Sequence, residues 1–365
     1  MSNLNKTAIR YLVELLLMIF LYAVLDNVAG IKKYVVVIVI GIVFFFLGKR
    51  KKWSADIVAC VALPVVIYVF LGSLSALISV NIQSETLKVI LYKLVPLFFS
   101  ICMFFCYQND LEHMVHIQFL GSCLAYKIFD APFVYTLTTW ESVYAFTFGI
   151  FVIYYAYRKN WRMFALAVFF LILGEKRIGI LAAVAALCVM LLAKTFRYNM
   201  KLILGIWGVI ITAIYAYLYA IYSGAMEAFC WAANINTNGR VEIYSRMANE
   251  FEFSLGHLGK GLGTVEYLLE HWNVAMYGNL HNDLLKIYIE LGFLGLLIYL
   301  GSYFVMFRLA GKIASDSKVA CLVAVSIYSL FLFATDNVSI YSLYLLPLYS
   351  VLFAVLSSDS PEKQS

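Results

Sequence analysis

Charged residues are scarce in this sequence of 365 residues, of which 13% are charged and 64% are hydrophobic. A soluble domain carries about twice that share of charge, and its core could not hold this apolar excess. The apolar residues form continuous blocks, such as 34–48, 143–157 and 202–222, and do not alternate with polar residues. Because a lipid environment admits only helices and closed barrels, and barrel strands require alternation, the blocks predict membrane-spanning helices.

Other missing signals exclude further classes of protein. Six of the seven cysteines fall within predicted spans, so no disulfide framework or zinc knuckle is predicted. The 27 lysines and arginines form no single basic tract, so the net charge of +6 does not indicate nucleic acid. The G-x-x-x-x-G-K-[ST] loop that cradles nucleotide phosphates is absent, and no internal repeat is evident. We predict neither a metal nor a cofactor.

The apolar blocks predict an all-α, polytopic membrane protein of about twelve transmembrane helices, forming a single membrane domain over residues 1–365. The predicted spans are 11–25, 34–48, 57–79, 94–107, 114–129, 143–157, 163–175, 178–193, 202–222, 292–307, 319–334 and 341–356. Dense basic clusters, including residues 49–52, lie in the short loops of one side. The positive-inside rule therefore predicts that both termini are cytoplasmic, with 357–365 as a cytoplasmic tail.

A long connection, residues 223–280, is predicted to lie on the outer side. Long connections without a packing reason are usually functional. Three of the five histidines lie in it or at its end, namely His257, His271 and His281, and it contains Arg240, Arg246 and a glycine-rich run over 256–263. We therefore expect the chemistry of the protein in this region.

The strongest local pattern follows that loop. If residues 281–291 are helical, Asp283, Lys286 and Glu290 form one polar stripe at i, i+3 and i+7, next to His281 and Asn282 at the helix start. We predict an interfacial or re-entrant helix here, before a span that begins at residue 292. Its N-terminal end would attract anions, whereas the alternative is a surface helix with a solvated histidine.

Two further patterns carry paired cations. Lys176 and Arg177 are wedged between two spans, and cations at the membrane margin need a partner, which is either Glu175 or an anionic head group. Residues 238–246 hold Arg240 and Arg246 among acidic and aromatic neighbours. Taken alone, Arg240 is a solvated loop charge.

Together the three patterns resemble the O-antigen polymerase/O-antigen ligase superfamily of bacterial polysaccharide assembly. In that family the long outer loop opens with Gly-Arg near acidic and aromatic residues, matched here by 239–244, and continues through a Gly-x-Gly run, matched by 259–263. It closes with His-Asn and E-x-G-x-x-G, matched by His281-Asn282 and by 290–295. An upstream arginine, often preceded by serine, corresponds to Arg177, where Lys176 replaces the serine. The specific match covers about 174–180 and 238–300.

The resemblance implies a membrane-embedded, glycosyltransferase-like enzyme that is metal-independent and uses no cofactor. It implies a polysaccharide polymerase for O-antigen, capsule or exopolysaccharide, located in the cytoplasmic (inner) membrane of a bacterium with its active face extracytoplasmic. The donor would be a polyprenyl-pyrophosphate-linked oligosaccharide, and the acceptor a lipid-linked oligosaccharide. Expected partners are this substrate, membrane lipid and other polysaccharide-assembly proteins, but no nucleic acid.

The resemblance also implies roles for individual residues. Arg177 and Arg240 would stabilise the pyrophosphate leaving group through charge-assisted hydrogen bonds, and His281 would act as general base on the acceptor hydroxyl. A single displacement would invert the anomeric configuration. The expected substrate-binding residues are Lys176, Arg246, Asn282, Asp283 and Glu242. Either Asp283 or Glu242 is expected to orient the imidazole of His281.

Three alternatives remain open on the sequence. A ligase would transfer finished polymer to a terminal acceptor, with the same donor chemistry and the same motifs. A flippase or transporter of lipid-linked oligosaccharide would place charges at the membrane midplane, often in repeated halves, whereas here they collect at the outer margin. A non-catalytic scaffold would have no use for the histidine and arginines.

Overall fold

Helices make up the regular structure of the protein in the computed structural model, which describes residues 3–28, 30–47, 54–79, 85–108, 110–130, 142–195, 199–235, 237, 239–272 and 279–357. Within those residues the helices are α1 (Asn3–Asn27), α2 (Lys32–Leu47), α3 (Ala55–Ile78), α4 (Glu85–Cys106), α5 (Leu111–Ala125), α6 (Tyr144–Arg158), α7 (Trp161–Leu173), α8 (Arg177–Thr195), α9 (Met200–Tyr222), α10 (Ala225–Ala232), α11 (Arg240–Ala248), α12 (Thr264–His271), α13 (Asp283–Ile313), α14 (Asp316–Phe333) and α15 (Ser342–Ser357). A π-helical turn, Tyr126–Asp130, extends α5, and a 3-10 turn, Val338–Ile340, precedes α15. The prediction of an all-α fold is confirmed.

Each of the twelve predicted spans coincides with one helix. Seven of the helices, α1, α3, α4, α8, α9, α13 and α14, are long and apolar enough to cross a membrane. The others, α2, α5, α6, α7 and α15, have 13 to 16 residues. That is about 20 to 24 Å of helix against a hydrocarbon core of about 30 Å. The protein is a polytopic membrane protein, while the count of about twelve spans stays a prediction.

The centre of the bundle is formed by α6, α14 and α15. Residues 342–356 of α15 are all buried, and α15 packs against α3, α4, α5, α6 and α14. Peripheral helices instead expose large apolar side chains, such as Val35 and Phe46 on α2, Phe169 on α7 and Val209 on α9. Apolar side chains on the outside are stable in lipid and costly in water, so this distribution fits a bilayer as the solvent.

Small polar side chains join the central helices. Gln118 on α5 donates to the hydroxyl of Ser350 on α15 at 2.7 Å, and Ser350 donates to Ser100 on α4 at 3.3 Å. Tyr328 on α14 donates to the carbonyl of Phe146 on α6 at 2.8 Å. The amide nitrogen of Gln118, a polar residue that interrupts the apolar pattern of the fifth predicted span, therefore has a partner inside the protein. Such bonds supply interhelical attraction where lipid removes the hydrophobic drive.

The predicted long loop, 223–280, contains three short helices in its described part. The helices α10 and α11 pack against α9, and α12 packs against α13 and α4. Gly224, Gly239 and Gly263, all left-handed, precede these helices. The loop is thus docked on the bundle, and its outer location stays a prediction. Residues 49–52, Asn238 and the predicted tail beyond Ser357 lie outside the described residues.

Helix α13 bends at Gly292, the residue at which a span was predicted to begin. Gly292 has φ 77° and ψ −178°, so the helical hydrogen-bond ladder is interrupted there. The glycine-rich run fills the gap: Lys260 and Gly261 donate backbone N–H groups to the carbonyls of Ile289 and Glu290 at 2.9 and 3.0 Å, and Phe293 N–H donates to the His257 carbonyl at 2.9 Å. The run is therefore a fixed turn structure that provides hydrogen-bond partners for the backbone groups left unpaired at the bend. Backbone groups that are shielded from water require such partners.

We expect Gly292→Ala to destabilise the protein by roughly 3 kcal/mol. Gly292 has the left-handed φ that L side chains rarely adopt, and an added Cβ would fall on the His257 carbonyl oxygen. Thermal unfolding of the detergent-solubilised protein measures the effect. Gly301→Ala is the matched control, because Gly301 lies in the same helix and its added Cβ meets open space. Equal melting temperatures for the two variants would contradict this account of the bend.

Candidate functional site

His281 is paired with Asp336, an acidic residue from another part of the chain. The imidazole Nδ1 lies 3.2 Å from Oδ1 of Asp336, which follows α14 in the turn before Val338–Ile340. The His281 side chain is 35% exposed, whereas that of Asp336 is 7% exposed. The carboxylate is thus buried, whereas part of the imidazole side chain remains accessible.

Several hydrogen bonds fix the backbone at this pair. His281 has a left-handed φ of 51°, and its carbonyl accepts a hydrogen bond from the Tyr244 hydroxyl at 3.1 Å. Asn282 caps α13 by accepting from Leu285 N–H at 3.0 Å, and its amide nitrogen donates to Tyr217 at 3.0 Å. Both ends of the Asn282 side chain are engaged within the protein. The geometry of the histidine is therefore set by α9, α11 and the start of α13.

The charge on Asp336 determines which nitrogen of His281 carries the proton. Burial alone would raise the pKa of Asp336, but the hydrogen bonds from His281 and from Asn337 N–H, with the positive charge of Lys176, lower it below its ordinary value. The carboxylate is therefore ionised at neutral pH and accepts a hydrogen bond. Nδ1 of a neutral His281 then bears the hydrogen, which leaves Nε2 as the basic nitrogen.

A cavity of about 610 Å³ lies beside this pair. Its lining combines apolar side chains with one guanidinium and two tyrosines: Tyr217, Ala220, Ala225, Met226, Phe229, Cys230, Ile235, Thr237, Arg240, Val241, Tyr244, Ala334 and Thr335. His281 does not line the cavity itself, but Tyr244, which binds its carbonyl, and Thr335, which precedes Asp336, do. The pair therefore lies at the margin of a largely apolar cavity whose wall includes the guanidinium of Arg240.

Arg240 is held at the cavity wall from two sides. It is the first residue of α11, directly after the left-handed Gly239, and its guanidinium donates to the Thr335 carbonyl at 3.1 Å. That bond connects α11 to the turn that carries Asp336 and leaves other guanidinium N–H groups for an anion. Burial raises the pKa of the neighbouring Tyr244 to about 12, so this phenol stays protonated and donates its hydrogen bond.

The other predicted site residues differ in their relation to the His281–Asp336 pair. Lys176 acts electrostatically on Asp336. Arg177, Glu242 and Arg246 expose their side chains. Glu242 is therefore not the partner of the imidazole. Within the described residues, no group of three or more His, Cys, Asp and Glu side chains forms a candidate metal site.

The predicted polar stripe on α13 is buried in the protein, so the alternative of a solvated surface helix is wrong. Asp283, Lys286 and Glu290 are all at most 4% exposed. Both carboxylate oxygens of Asp283 accept hydrogen bonds from Ser339, at 2.7 Å from its N–H and 2.6 Å from its hydroxyl. Asp283 is thus directed at the 336–339 turn and, like Glu242, does not orient His281. The expectation that one of those two acids does so is corrected in favour of Asp336.

The remaining members of the stripe join α13 to the glycine-rich run and α12. Lys286 forms an ion pair with Glu266 on α12. Glu290 accepts hydrogen bonds from Gly263 N–H at 2.9 Å and from the Tyr68 hydroxyl at 2.7 Å. Because an unpaired buried charge is costly, these contacts tie the docked loop to the helix that begins at the candidate site.

Asp336, Tyr244 and Tyr217 are the candidate functional residues that the sequence reasoning missed. A signal for Asp336 was available, because Thr335, Asp336 and Asn337 interrupt two apolar blocks on the same predicted side as the long loop. Tyr244 is the aromatic residue of the 239–244 match, but that match assigned it no role, and nothing in the local sequence marks Tyr217 among the 27 tyrosines. Their role follows only from the packing of α9 and α11.

Comparison with known proteins adds one finding. Residues 162–300 match a family model described as O-antigen ligase. The matched range includes Lys176, Arg177, Arg240 and His281, while Asp336 lies beyond it. No curated protein matches the chain in sequence.

Proposed function

We propose that the chain, whose residues 162–300 match the O-antigen ligase family model, transfers glycan from a polyprenyl-pyrophosphate-linked donor to a lipid-linked oligosaccharide. Members of this family are glycosyltransferase-like enzymes that act on lipid-linked oligosaccharides. The observation that carries the proposal is the His281–Asp336 pair beside the cavity lined by Arg240. We assign the reaction to the outer face of the bacterial inner membrane, with both termini cytoplasmic.

In the proposed reaction His281 is the general base. Its Nε2 takes the proton of the acceptor hydroxyl as the oxygen forms a bond to the anomeric carbon of the donor. Asp336 keeps the hydrogen on Nδ1 and stabilises the imidazolium that forms, because the buried carboxylate lies 3.2 Å away. A neutral hydroxyl is a poor nucleophile, so a positioned base is the group that this step requires.

Arg240 and the cations near α8 receive the leaving group. As the bond from the anomeric carbon to the pyrophosphate oxygen breaks, the electron pair stays on the pyrophosphate, and its added charge is stabilised by a guanidinium in a largely apolar cavity. Lys176 and Arg177 are proposed as further cations for this charge, and Arg246 as a more distant one. The apolar wall that includes Met226 and Phe229 receives the polyprenyl chain.

The stereochemistry and cofactor needs follow from the same scheme. One displacement at the anomeric carbon inverts its configuration. The donor already carries an activated leaving group, so the proposed reaction draws on neither nucleotide nor metal. Polyprenyl pyrophosphate is released as the glycan is transferred.

The choice between polymerase and ligase depends on the acceptor. We propose the polymerase, and the ligase is the second candidate because the matching family model carries that description. The discriminating experiment supplies the reconstituted protein with lipid-linked oligosaccharide alone, and then with a terminal glycolipid acceptor added. Lengthening of the oligosaccharide in the first reaction supports the polymerase. Transfer only in the second supports the ligase.

We expect Arg240→Lys to lower the transfer rate by roughly 10- to 100-fold, and Arg240→Gln by more. Lysine keeps the charge but offers a point charge in place of the planar fork that binds a diphosphate bidentately, and it cannot also hold the Thr335 carbonyl in the same way. Donor titrations in proteoliposomes measure the effect. Arg308→Lys, an exposed residue near the far end of α13, is the control and should leave the rate unchanged. Full activity of Arg240→Gln would remove Arg240 from the mechanism.

A further inference from the structure

A second cavity, of about 320 Å³, lies far from the candidate site. It is enclosed by the end of α6, the start of α7, the last half of α8 and the first turn of α14, and it is lined by Ala156, Tyr157, Lys159, Trp161, Phe164, Leu187, Met190, Leu191, Lys194 and Ser317. Helix α8 connects the two sites, since it begins next to Lys176 and has Lys194 in its last turn. At 1.5 Å per residue, the two ends of α8 are about 27 Å apart.

The cavity combines a basic edge with an apolar wall. Lys159 and Lys194 are both exposed, and neither pairs with a carboxylate among the residues that the structure describes. By contrast, Arg158 next to them pairs with Glu112 at 3.1 Å. Arg162 adds an exposed positive charge, and the exposed acid beside the cavity is Asp316. The local balance of charge at the cavity is therefore positive.

The apolar part of the cavity is open to the surroundings of the bundle. Leu191 is 60% exposed and Trp161 is 63% exposed. The Trp161 ring also packs edge-on against Phe164, with 5.7 Å between the ring centroids. An exposed tryptophan at the start of a membrane helix is typical of the lipid–water interface, and exposed leucine beside it is stable against acyl chains. The cavity thus offers positive charge for the head group of a phospholipid and an apolar wall for its acyl chains.

We propose that this cavity binds one anionic phospholipid. Its phosphate lies between Lys159 and Lys194, and its acyl chains cover Leu191, Met190 and Leu187. The basic loops at this end of the bundle are those that the positive-inside rule assigns to the cytoplasm, where the inner leaflet supplies anionic head groups. The site requires no glycan chemistry and is independent of the proposed function.

The test measures lipid retained by the purified full-length protein in native mass spectrometry. The protein is extracted from vesicles of phosphatidylcholine alone, or of phosphatidylcholine with a minor fraction of phosphatidylglycerol. We expect wild type to retain one phosphatidylglycerol in preference to phosphatidylcholine. Lys159→Gln/Lys194→Gln should lower this retention by about tenfold or more, because each lysine near an anionic head group contributes to its binding. No preference in wild type would overturn the proposal.

A control with two other lysines distinguishes lipid binding at this cavity from general attraction of anionic lipid to a basic surface. Lys201→Gln/Lys312→Gln removes two exposed charges from the same predicted face, but neither residue lines the cavity. This control should retain phosphatidylglycerol as wild type does. Equal losses in the two double variants, or no loss in either, would contradict the proposal.

Inorganic phosphate distinguishes a lipid from a free anion as the ligand. We expect inorganic phosphate not to displace phosphatidylglycerol, because the acyl chains hold the lipid as well. Leu191→Ser changes an exposed side chain and should lower retention of the lipid. Displacement by phosphate, together with unchanged retention in Leu191→Ser, would identify a free-anion site and overturn the assignment to a phospholipid.

Discussion

Replacing His281 with alanine is expected to lower the rate of glycan transfer by roughly 10²- to 10⁴-fold, the usual contribution of a positioned general base. The imidazole is the accessible member of the pair with Asp336, and its removal leaves the acceptor hydroxyl without a proton acceptor there. Donor binding should change little, because the cavity wall that holds Arg240 does not include the His281 side chain. The measurement is the initial rate of glycan lengthening in proteoliposomes.

His271→Ala is the matched control for that substitution. His271 also lies in the long loop, but its side chain is exposed. Its Nδ1 lies 2.9 Å from the carbonyl oxygen of Tyr267 in the same helix. We expect His271→Ala to keep the wild-type rate, and His281→Ala to remain folded, with its melting temperature lowered only by the loss of the contact with Asp336. Glycan of normal length made at a normal rate by His281→Ala would remove this histidine from the mechanism.

The second large effect is expected for Asp336→Asn, which should lower the maximal rate roughly 10²-fold or more while the donor concentration at half-maximal rate stays nearly unchanged. Asparagine has nearly the same shape, but it cannot stabilise the imidazolium or hold the hydrogen on Nδ1 as a carboxylate does. The double variant His281→Ala/Asp336→Asn should be no slower than His281→Ala alone, because the two residues act as a unit. Multiplied losses in the double variant would show that they act separately.

Asp316→Asn is the control, since Asp316 is an exposed acid at the opposite end of the α14 helix from Asp336. The pKa of Asp336 is lowered in the folded protein, so its pairing stabilises the fold above the ordinary carboxyl pKa and is lost as the pH falls through the lowered value. We therefore expect the melting temperature of wild type to lose its advantage over Asp336→Asn only in acid. An advantage that disappears near neutral pH would contradict an ionised Asp336.

The helical bundle could be predicted from the sequence because lipid imposes a simple rule on apolar blocks. A backbone that cannot bond to water must be helical, so each continuous block coincides with a helix. The rule predicts that a block is helical, but it does not predict the length of the helix. Five of these helices have only 13 to 16 residues, which is short for a complete crossing. Nor does it show that the long loop folds, since α10 to α12 owe their positions to contacts with α9, α13 and α4.

The polar stripe on α13 shows a different limit. Spacing correctly predicted a helix that carries Asp283, Lys286 and Glu290 on one face. The bend at Gly292 falls where the span was expected to begin. Spacing could not show what surrounds that helix. Its partners Ser339, Glu266 and Tyr68 come from three separate segments, so a stripe predicted for a membrane surface is enclosed by protein.

The partner of His281 was beyond local reasoning for a similar cause. Asp336 is 55 positions further along the chain, and the two meet because Asp283 N–H bonds to the Asp336 carbonyl and α13 packs against α14. The acids that the motifs supplied, Asp283 and Glu242, were the natural candidates. One is buried against Ser339 and the other is exposed, so tertiary packing alone selects the residue behind the imidazole.

The central claim is that the protein lengthens a glycan held on polyprenyl pyrophosphate, and one measurement tests it most directly. Purified protein in liposomes is given only the lipid-linked oligosaccharide, with a chelator present and no nucleotide, and glycan length and free polyprenyl pyrophosphate are followed together. We predict longer lipid-linked glycan, with one polyprenyl pyrophosphate released for each unit added. Oligosaccharide that crosses the membrane without lengthening, and without release of polyprenyl pyrophosphate, would contradict the claim.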